Sequence, residues 1–302
     1  MTPTAISLIT LSAFSHAFWN LLGKRRQPSV AFFLVANGTA AVCLIPVLIW
    51  NHQLVSQISW GVWGLIAVTG IFQAIYFSGL AAAYQRGDMS LAYPLARAVP
   101  VLLIVGVNFL MGRSYQIGAG GMVGMVLVAI GCIILPLPEF KQFRIEHYLT
   151  AVCLFALVAA VGTTGYTIVD DVALRSLRSL PQQNAGVGGT TLTYMALEAL
   201  SITVMLSVVM LFRRQDRIAL AQTWADHRLY AGTAGLIIVA TYGLVLTSMA
   251  YVTNVSYVAA FRQLSIPIGA VLGLTIQKEK GQLPKLVGIG VVFIGLILVG
   301  LG

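Results

Sequence analysis

The chain has 302 residues, of which 58% are hydrophobic and 9% are charged, and its formal net charge is +9. A soluble domain of this size cannot bury so much apolar surface, so the composition excludes a soluble globular protein and indicates an integral membrane protein. The positive charge does not indicate nucleic-acid binding, because the basic residues lie in short loops between apolar segments rather than in a stripe with interleaved aromatic side chains.

Ten apolar segments follow one another along the chain, and their lengths suit helices that cross a bilayer. We therefore predict an all-α integral membrane protein with ten transmembrane helices. The predicted spans are 4–23, 29–50, 60–84, 89–111, 117–136, 147–169, 189–212, 229–252, 254–276 and 284–301. The longest connection, 172–188, is polar, and we expect it to carry a short surface helix followed by a flexible loop.

The two halves of the chain share features in the same order. A tyrosine, an arginine and a proline follow one another in span four and again in span nine; they are Tyr93, Arg97 and Pro100 in the first half and Tyr257, Arg262 and Pro267 in the second. Because each half has five spans, the second half enters the membrane upside down relative to the first. The prediction is two inverted five-helix repeats, residues 1–140 and 141–302, which form one transporter unit.

Lysine and arginine residues lie mainly in the loops that follow the odd-numbered spans. Examples are Lys24-Arg25-Arg26 after span one and Arg213-Arg214 after span seven. Cytoplasmic loops of membrane proteins carry an excess of these residues. We therefore predict a multi-pass protein of the cell (inner) membrane with both termini outside the cytoplasm.

Arg97 and Arg262 are informative because each lies inside an apolar span. An arginine near the centre of a transmembrane helix costs about 2.5–3.5 kcal/mol on insertion scales, and it cannot lose its charge. One interpretation is that the two arginines bond to backbone carbonyls or to Glu198 and hold helices together. The other is that at least one of them meets the carboxylate or phosphate of a substrate, since few acidic residues lie within the spans.

Several short stretches resemble a known superfamily. His16-Ala-Phe-Trp19-Asn20 in span one, Tyr93-Pro-Leu-Ala-Arg97 in span four and Thr253-Asn-Val-Ser-Tyr257 at span nine resemble the drug/metabolite transporter superfamily, and within it the ten-helix EamA-type carriers. The resemblance implies alternating access around a central cavity formed by spans one, three, four, six, eight and nine. It also implies that span seven lies outside this cavity.

The candidate substrate-binding residues are polar or aromatic side chains in the spans that the resemblance places around the cavity. They are His16, Trp19, Asn20, Gln73, Tyr76, Tyr93, Arg97, Tyr166, Tyr242, Tyr257, Arg262 and Gln263. For each of them the alternative is a hydrogen bond or a packing contact between helices, which polar residues in membranes often form. A histidine titrates near neutral pH, so His16 is also a candidate for proton coupling.

Three acidic residues lie within spans six and seven or close to their ends. Glu198 lies near the middle of span seven, where a carboxylate is costly. Because the resemblance implies that this span lies outside the cavity, we expect Glu198 to have a structural partner rather than a coupling proton. Asp170 and Asp171 close span six, and we expect them to mark the edge of the membrane; the alternative for Asp170 is a position at the rim of the cavity mouth.

These features predict a secondary-active transporter that exports a small polar metabolite, such as an amino acid or another anionic or zwitterionic compound. The alternative is a lipid-head-group flippase of the same fold, in which the arginines hold a phosphate. The sequence has no phosphate loop, zinc-ligand spacing or nucleophile elbow, so we predict no enzyme activity, no metal and no cofactor. The expected partners are a small-molecule substrate and the lipid bilayer, without nucleic acid; a coupling proton and the choice between a monomer and a weak dimer stay open.

Overall fold

A computed structural model describes residues 1–23, 28–86, 89–135, 137, 139–140, 150–180, 185–212, 214–275 and 282–302, and within these ranges it describes only the backbone of 18–23, 89–95, 114, 214 and 273–274. Nearly all of the described residues are helical, and none of them lies in a β-strand. The helices are α1 (Pro3–Gly23), α2 (Val30–Trp50), α3 (His52–Ser56), α4 (Trp60–Arg86), α5 (Met89–Leu110), α6 (Ala119–Ile134), α7 (Ala151–Arg178), α8 (Gly186–Leu211), α9 (Arg214–Ser248), α10 (Val255–Phe261), α11 (Ser265–Thr275) and α12 (Leu283–Leu301).

The long helices are apolar enough to cross a membrane. Among the described residues, 7 helical stretches meet this condition by length and composition; they lie in α2, α4, α7, α8, α9, α10 with α11, and α12. Two shorter apolar helices, Ala96–Leu110 and Ala119–Ile134, accompany them. The chain is therefore an all-α multi-pass membrane protein. The described residues do not reproduce the predicted count of ten complete spans, because α6, for example, has 16 residues where a full crossing takes about 20.

Two helices extend beyond their predicted spans. α7 continues to Arg178 rather than ending at 169, so the start of the expected surface segment belongs to the same helix. An ion pair between Arg175 and Asp171, one turn apart at 2.9 Å, stabilises this extension. α9 begins at Arg214 rather than at 229, because its polar first part contains no proline or glycine that would end the helix.

Span nine is an interrupted helix rather than a continuous one. α10 ends at Phe261, a 3-10 turn covers Arg262–Leu264, and α11 begins at Ser265. A short 3-10 segment changes the direction in which successive side chains point. The interruption therefore lies at Arg262, the residue that the sequence marks as exceptional in this span.

The close approach of α4 and α7 brings their polar residues together. A Cβ atom built on Gly162 would lie 2.6 Å from the backbone nitrogen of Tyr76, and one built on Gly79 would lie 2.8 Å from that of Ala159. Only glycine permits backbones to approach so closely, as in other membrane helix pairs. The two helices are thereby held in a register that places Thr69 of α4 opposite Asp170 of α7.

Candidate binding cavity

A cavity of about 670 Å³ lies within the helix bundle. Its wall is formed by residues of α1, α2, α4, α5, α7, α8 and α9, together with Arg262 of the 3-10 turn and Ser265 of α11. This volume falls within the range of small-molecule sites in proteins. The cavity can therefore hold a solute of metabolite size.

Both intramembrane arginines lie in the cavity wall. Arg97 donates from Nη2 to the hydroxyl oxygen of Ser265 at 2.6 Å and to the backbone carbonyl of Arg262 at 3.3 Å. The guanidinium of Arg262 lies over the ring of Tyr242, 5.1 Å from its centroid. The first contact joins span four to span nine, and the second is a cation–π contact that holds the cationic group flat against an aromatic wall.

Three tyrosines form a row beside Arg262. The rings of Tyr76 and Tyr166 are 5.8 Å apart, and those of Tyr166 and Tyr242 are 5.6 Å apart, both edge to face. Aromatic pairs favour this arrangement because the positive edge of one ring meets the negative face of the next. The row supplies flat apolar surface and hydroxyl groups next to a fixed positive charge.

Two carboxyl groups lie beside this row. Asp170 is fully buried, and its two oxygens accept hydrogen bonds from the hydroxyls of Thr69, Tyr194 and Tyr242 at 2.5–2.6 Å. Glu198 lines the cavity and accepts a bond from the side-chain amide of Gln73. Asp170 does not lie at a helix end, because α7 continues for two further turns beyond it.

The cavity wall becomes more aromatic toward the start of α2 and the last turns of α4. Phe33 and Phe77 pack with ring centroids 4.5 Å apart, and Phe32 and Tyr230 pack at 5.6 Å. The wall continues to Ser29 at the start of α2 and to Tyr84 near the end of α4 and also includes Asp226 and His227 of α9. A solute in the cavity therefore has apolar and aromatic surface on one side and charged groups on the other.

Polar contacts lie at the opposite end of the bundle, outside the cavity wall. Arg178 donates to the carbonyl of Leu246 at 3.0 Å, and Arg175 donates to the carbonyl of Thr253 at 3.2 Å. These bonds join the end of α7 to the last turns of α9 and to the residues before α10. The cavity wall does not include these four residues.

The structure brings together most of the described candidate residues. Those in the cavity wall are His16, Gln73, Tyr76, Arg97, Tyr166, Tyr242 and Arg262. Tyr257 and Gln263 are not among the lining residues: the hydroxyl of Tyr257 donates to the carbonyl of Gly302 at 2.9 Å, and the amide of Gln263 donates to the carbonyl of Ala259 at 2.9 Å. The side chains of Trp19, Asn20 and Tyr93 lie outside the described part of the chain.

Glu198 and Ser265 are the main lining residues that were not among the candidates. The expected position of Glu198 outside the cavity is wrong, because its helix α8 packs against α4 and directs the carboxyl group at Gln73. An intramembrane carboxyl group is a functional signal by default, and this signal could have identified it from sequence. Ser265 has no comparable signal, because isolated serines are common in membrane helices.

No protein-family model matches the chain, and no curated protein matches it. A solved structure known only as "Crystal structure of protein" covers 99% of this chain and 98% of its own, with a TM-score of 0.68 and 14% sequence identity. At this identity the likeness shows a shared fold. It carries no information on what the chain binds.

Proposed function

We propose that this protein is a secondary-active carrier that moves a small anionic or zwitterionic metabolite across the cell membrane by alternating access. The observation that carries the proposal is the intramembrane cavity of about 670 Å³, whose wall contains Arg97 and Arg262. These side chains stay charged inside an apolar bundle, at a cost in free energy. Arg97 is bound to Ser265 and Arg262 lies over the ring of Tyr242, and an anionic group of a substrate in the cavity adds a charged partner to these contacts.

The helix contacts support two inverted repeats, 1–140 and 141–302, with ten transmembrane helices in all. In this arrangement α1, α2, α4, α5 and α6 correspond to α7, α8, α9, α10 with α11, and α12. The main contacts then occur in matching pairs: α4–α7 with α1–α9, α5–α7 with α1–α11, and α2–α9 with α4–α8. Two further contacts, α6–α12 and α2–α8, are their own counterparts. Inverted repeats of this kind are a feature of transporters that expose a central site alternately to the two sides.

The positions of the cavity residues support a state of the transport cycle in which the cavity opens to one side of the membrane. Ser29, Tyr84 and Ala219 lie in the cavity wall near the helix ends that border the basic segments 24–26, 86 and 213–217. Basic loops face the cytoplasm. The cavity is then directed to the cytoplasm, the contacts of Arg175 and Arg178 close the other side, and both termini lie outside the cytoplasm.

The wall chemistry suggests how a substrate is held. Arg262 offers a planar set of N–H donors, which suits two bonds to one carboxylate or phosphate. The row of Tyr76, Tyr166 and Tyr242 offers flat surface for an apolar or planar part of the same molecule. A carboxylate-bearing metabolite such as an amino acid fits both features.

The test is transport by purified protein in liposomes, with a panel of radiolabelled amino acids, dicarboxylates and phosphorylated compounds. We expect wild-type protein to exchange at least one of them across the bilayer, and Arg262→Gln to lose this exchange. Arg113→Gln, which changes an arginine outside the cavity wall, is the matched control and retains exchange.

A second measurement in the same vesicles separates the carrier from a lipid flippase. If no compound of the panel moves while a fluorescent phospholipid analogue changes leaflets only in the presence of the protein, the carrier proposal is wrong. Movement of a solute without movement of the lipid analogue supports it.

A further inference from the structure

Asp170 has the surroundings of an ionised carboxylate. Its oxygens accept three hydroxyl hydrogen bonds, from Thr69 of α4, Tyr194 of α8 and Tyr242 of α9, and no part of its side chain is exposed. An ionised carboxylate has only acceptor sites, so three donors satisfy it without a proton of its own. These three bonds gather four helices around one buried group.

Glu198 lies beside Asp170. Gln73, which bonds Glu198, is one turn from Thr69, which bonds Asp170, and Glu198 itself is one turn from Tyr194, which also bonds Asp170. Glu198 has fewer donors than Asp170. The described contacts give it the amide of Gln73, and its exposed fraction is 3%. Repulsion between two carboxylates this close makes it costly to ionise both in a buried site, so the pair favours a state with one shared proton. Because Asp170 is satisfied as an acceptor, the shared proton resides on Glu198. Glu198 also lines the cavity, where water can deliver or remove that proton.

We propose that the carboxyl pair Asp170–Glu198 is the site of a coupling proton, which this carrier exchanges with water on each side of the membrane as it moves its substrate. This inference rests on the proposed function and names its driving ion. In one orientation of the cavity, a proton from water binds to the Glu198 carboxylate. In the other orientation, the same proton returns to water and leaves the pair with two negative charges.

A chain of contacts connects the proton to the substrate site. The hydroxyl of Tyr242 donates a hydrogen bond to Asp170 at 2.5 Å. The guanidinium of Arg262 lies over the ring of the same tyrosine, 5.1 Å from the ring centroid. When the pair loses its proton, the added negative charge attracts Arg262, which then competes with an anionic substrate for the same cation. Protonation of Glu198 therefore favours substrate binding, and deprotonation favours release.

The other titratable and charged groups near the pair are Tyr194 of α8 and Tyr242 of α9, which both bond Asp170, Arg262 of the 3-10 turn, which lies over the Tyr242 ring, and Asp171, the next residue of α7. The same cavity wall also holds His16 of α1, Tyr76 of α4, Arg97 of α5 and Tyr166 of α7. Asp171 is not part of the pair, because its carboxylate forms an ion pair with Arg175 at 2.9 Å. It serves as the control carboxylate on the same helix.

The first test reads the proton without any substrate. Infrared difference spectra of the protein in lipid vesicles, recorded between acidic and alkaline buffer, report the C=O stretch of protonated carboxylic acids. We expect a buried carboxylic-acid band that disappears on alkalinisation, is absent in Glu198→Gln and is shifted in Asp170→Asn, but is retained in Asp171→Asn. A wild-type spectrum without this band, or with a band that both pair variants retain, overturns the proposal.

The second test reads coupling with the same radiolabelled panel. For a compound that wild-type protein exchanges, we expect an imposed pH gradient to raise its accumulation several-fold over exchange without a gradient. In Glu198→Gln this ratio falls to about one, whereas in Asp171→Asn it stays at the wild-type value. A wild-type ratio in Glu198→Gln overturns proton coupling. If wild-type protein moves no compound, the proposed function fails, and the infrared measurement still decides whether the pair holds a proton.

Discussion

The cavity wall and the contact between α6 and α12 are two regions inside the helix bundle that are packed in opposite ways. At the α6–α12 contact glycines bring the two backbones together, and a Cβ atom built on Gly124 would lie 2.6 Å from the carbonyl oxygen of Gly295. In the cavity wall, large polar and aromatic side chains keep the helices apart, with Arg262 and Glu198 directed into the space between them.

The difference separates the residues that hold the fold from those that serve the site. Small residues let membrane helices pack by backbone contact, which stabilises them without polar groups. Charged residues inside a membrane are costly and stay where a task requires them. Variants at the α6–α12 contact should therefore change stability and leave substrate affinity unchanged, whereas variants in the cavity wall should do the opposite.

The largest effect is expected for Arg262→Gln. The change removes charge-assisted bonds worth about 1.5–3 kcal/mol, which corresponds to about a 10- to 150-fold loss of substrate affinity. Affinity is measured by ligand-induced thermal stabilisation with the transported compound, which also gives the melting temperature without ligand. Unchanged affinity would mean that Arg262 has a structural role, and the cavity wall would then not differ from the α6–α12 contact in the way proposed.

Gly124→Ala tests whether the α6–α12 contact serves stability rather than substrate binding. The added methyl group would meet the carbonyl oxygen of Gly295 at 2.6 Å and the backbone nitrogen of Val299 at 2.8 Å, so α6 and α12 must separate. Overpacking of this kind costs about 1–3 kcal/mol of stability. Thermal unfolding in detergent should show a lower melting temperature, while transport per folded molecule stays unchanged.

Gly120→Ala is the control for that measurement. Gly120 lies on the same helix, one turn earlier, and a Cβ atom there would meet no atom within 4 Å. Its melting temperature should match that of wild type. Equal losses in both variants would mean that the α6–α12 contact has no special role in stability.

The sequence predicts the membrane class and much of the cavity wall, because intramembrane polar residues are rare and informative. Arg97 and Arg262 are recognisable as exceptional from their spans alone. The length of α9 was not predictable in the same way, because its first part, from Arg214, is polar and carries no hydropathy signal. Hydropathy finds the part of a helix that lies in lipid and misses its extension.

The orientation of side chains accounts for the remaining differences. Glu198 reaches the cavity because α8 packs against α4, and the pairing of helices is a tertiary property that spacing along the chain does not contain. Tyr257 precedes an intramembrane arginine, as Tyr93 does, yet its hydroxyl bonds to Gly118 and Gly302 rather than lining the cavity. A repeated sequence pattern thus does not by itself assign a role to each of its residues.

Arg97→Lys should have a smaller effect than Arg262→Gln. Arg97 reaches Ser265 and the Arg262 carbonyl from a single nitrogen, and a lysine keeps the charge but not the planar group. Losing one such bond is worth about 0.5–1.5 kcal/mol, so we expect about a 3- to 10-fold loss of affinity. If Arg97 acts through Ser265, the double variant with Ser265→Ala should lose less than the sum of the single changes; additive losses contradict that contact.

The smallest effect on substrate affinity is expected for Tyr257→Phe, which tests whether this residue belongs to the substrate site or to the helix packing. The Tyr257 hydroxyl accepts a hydrogen bond from the backbone nitrogen of Gly118 at 2.9 Å and donates to the carbonyl of Gly302 at 2.9 Å. Its ring lies against Gly121, where an added Cβ atom would come within 2.8 Å of it. Phenylalanine keeps the ring and removes both bonds, each of which is worth about 0.5–1.5 kcal/mol of stability. We expect a slightly lower melting temperature with unchanged substrate affinity. A loss of affinity without a loss of stability would instead assign Tyr257 to the substrate site and extend that site toward α6.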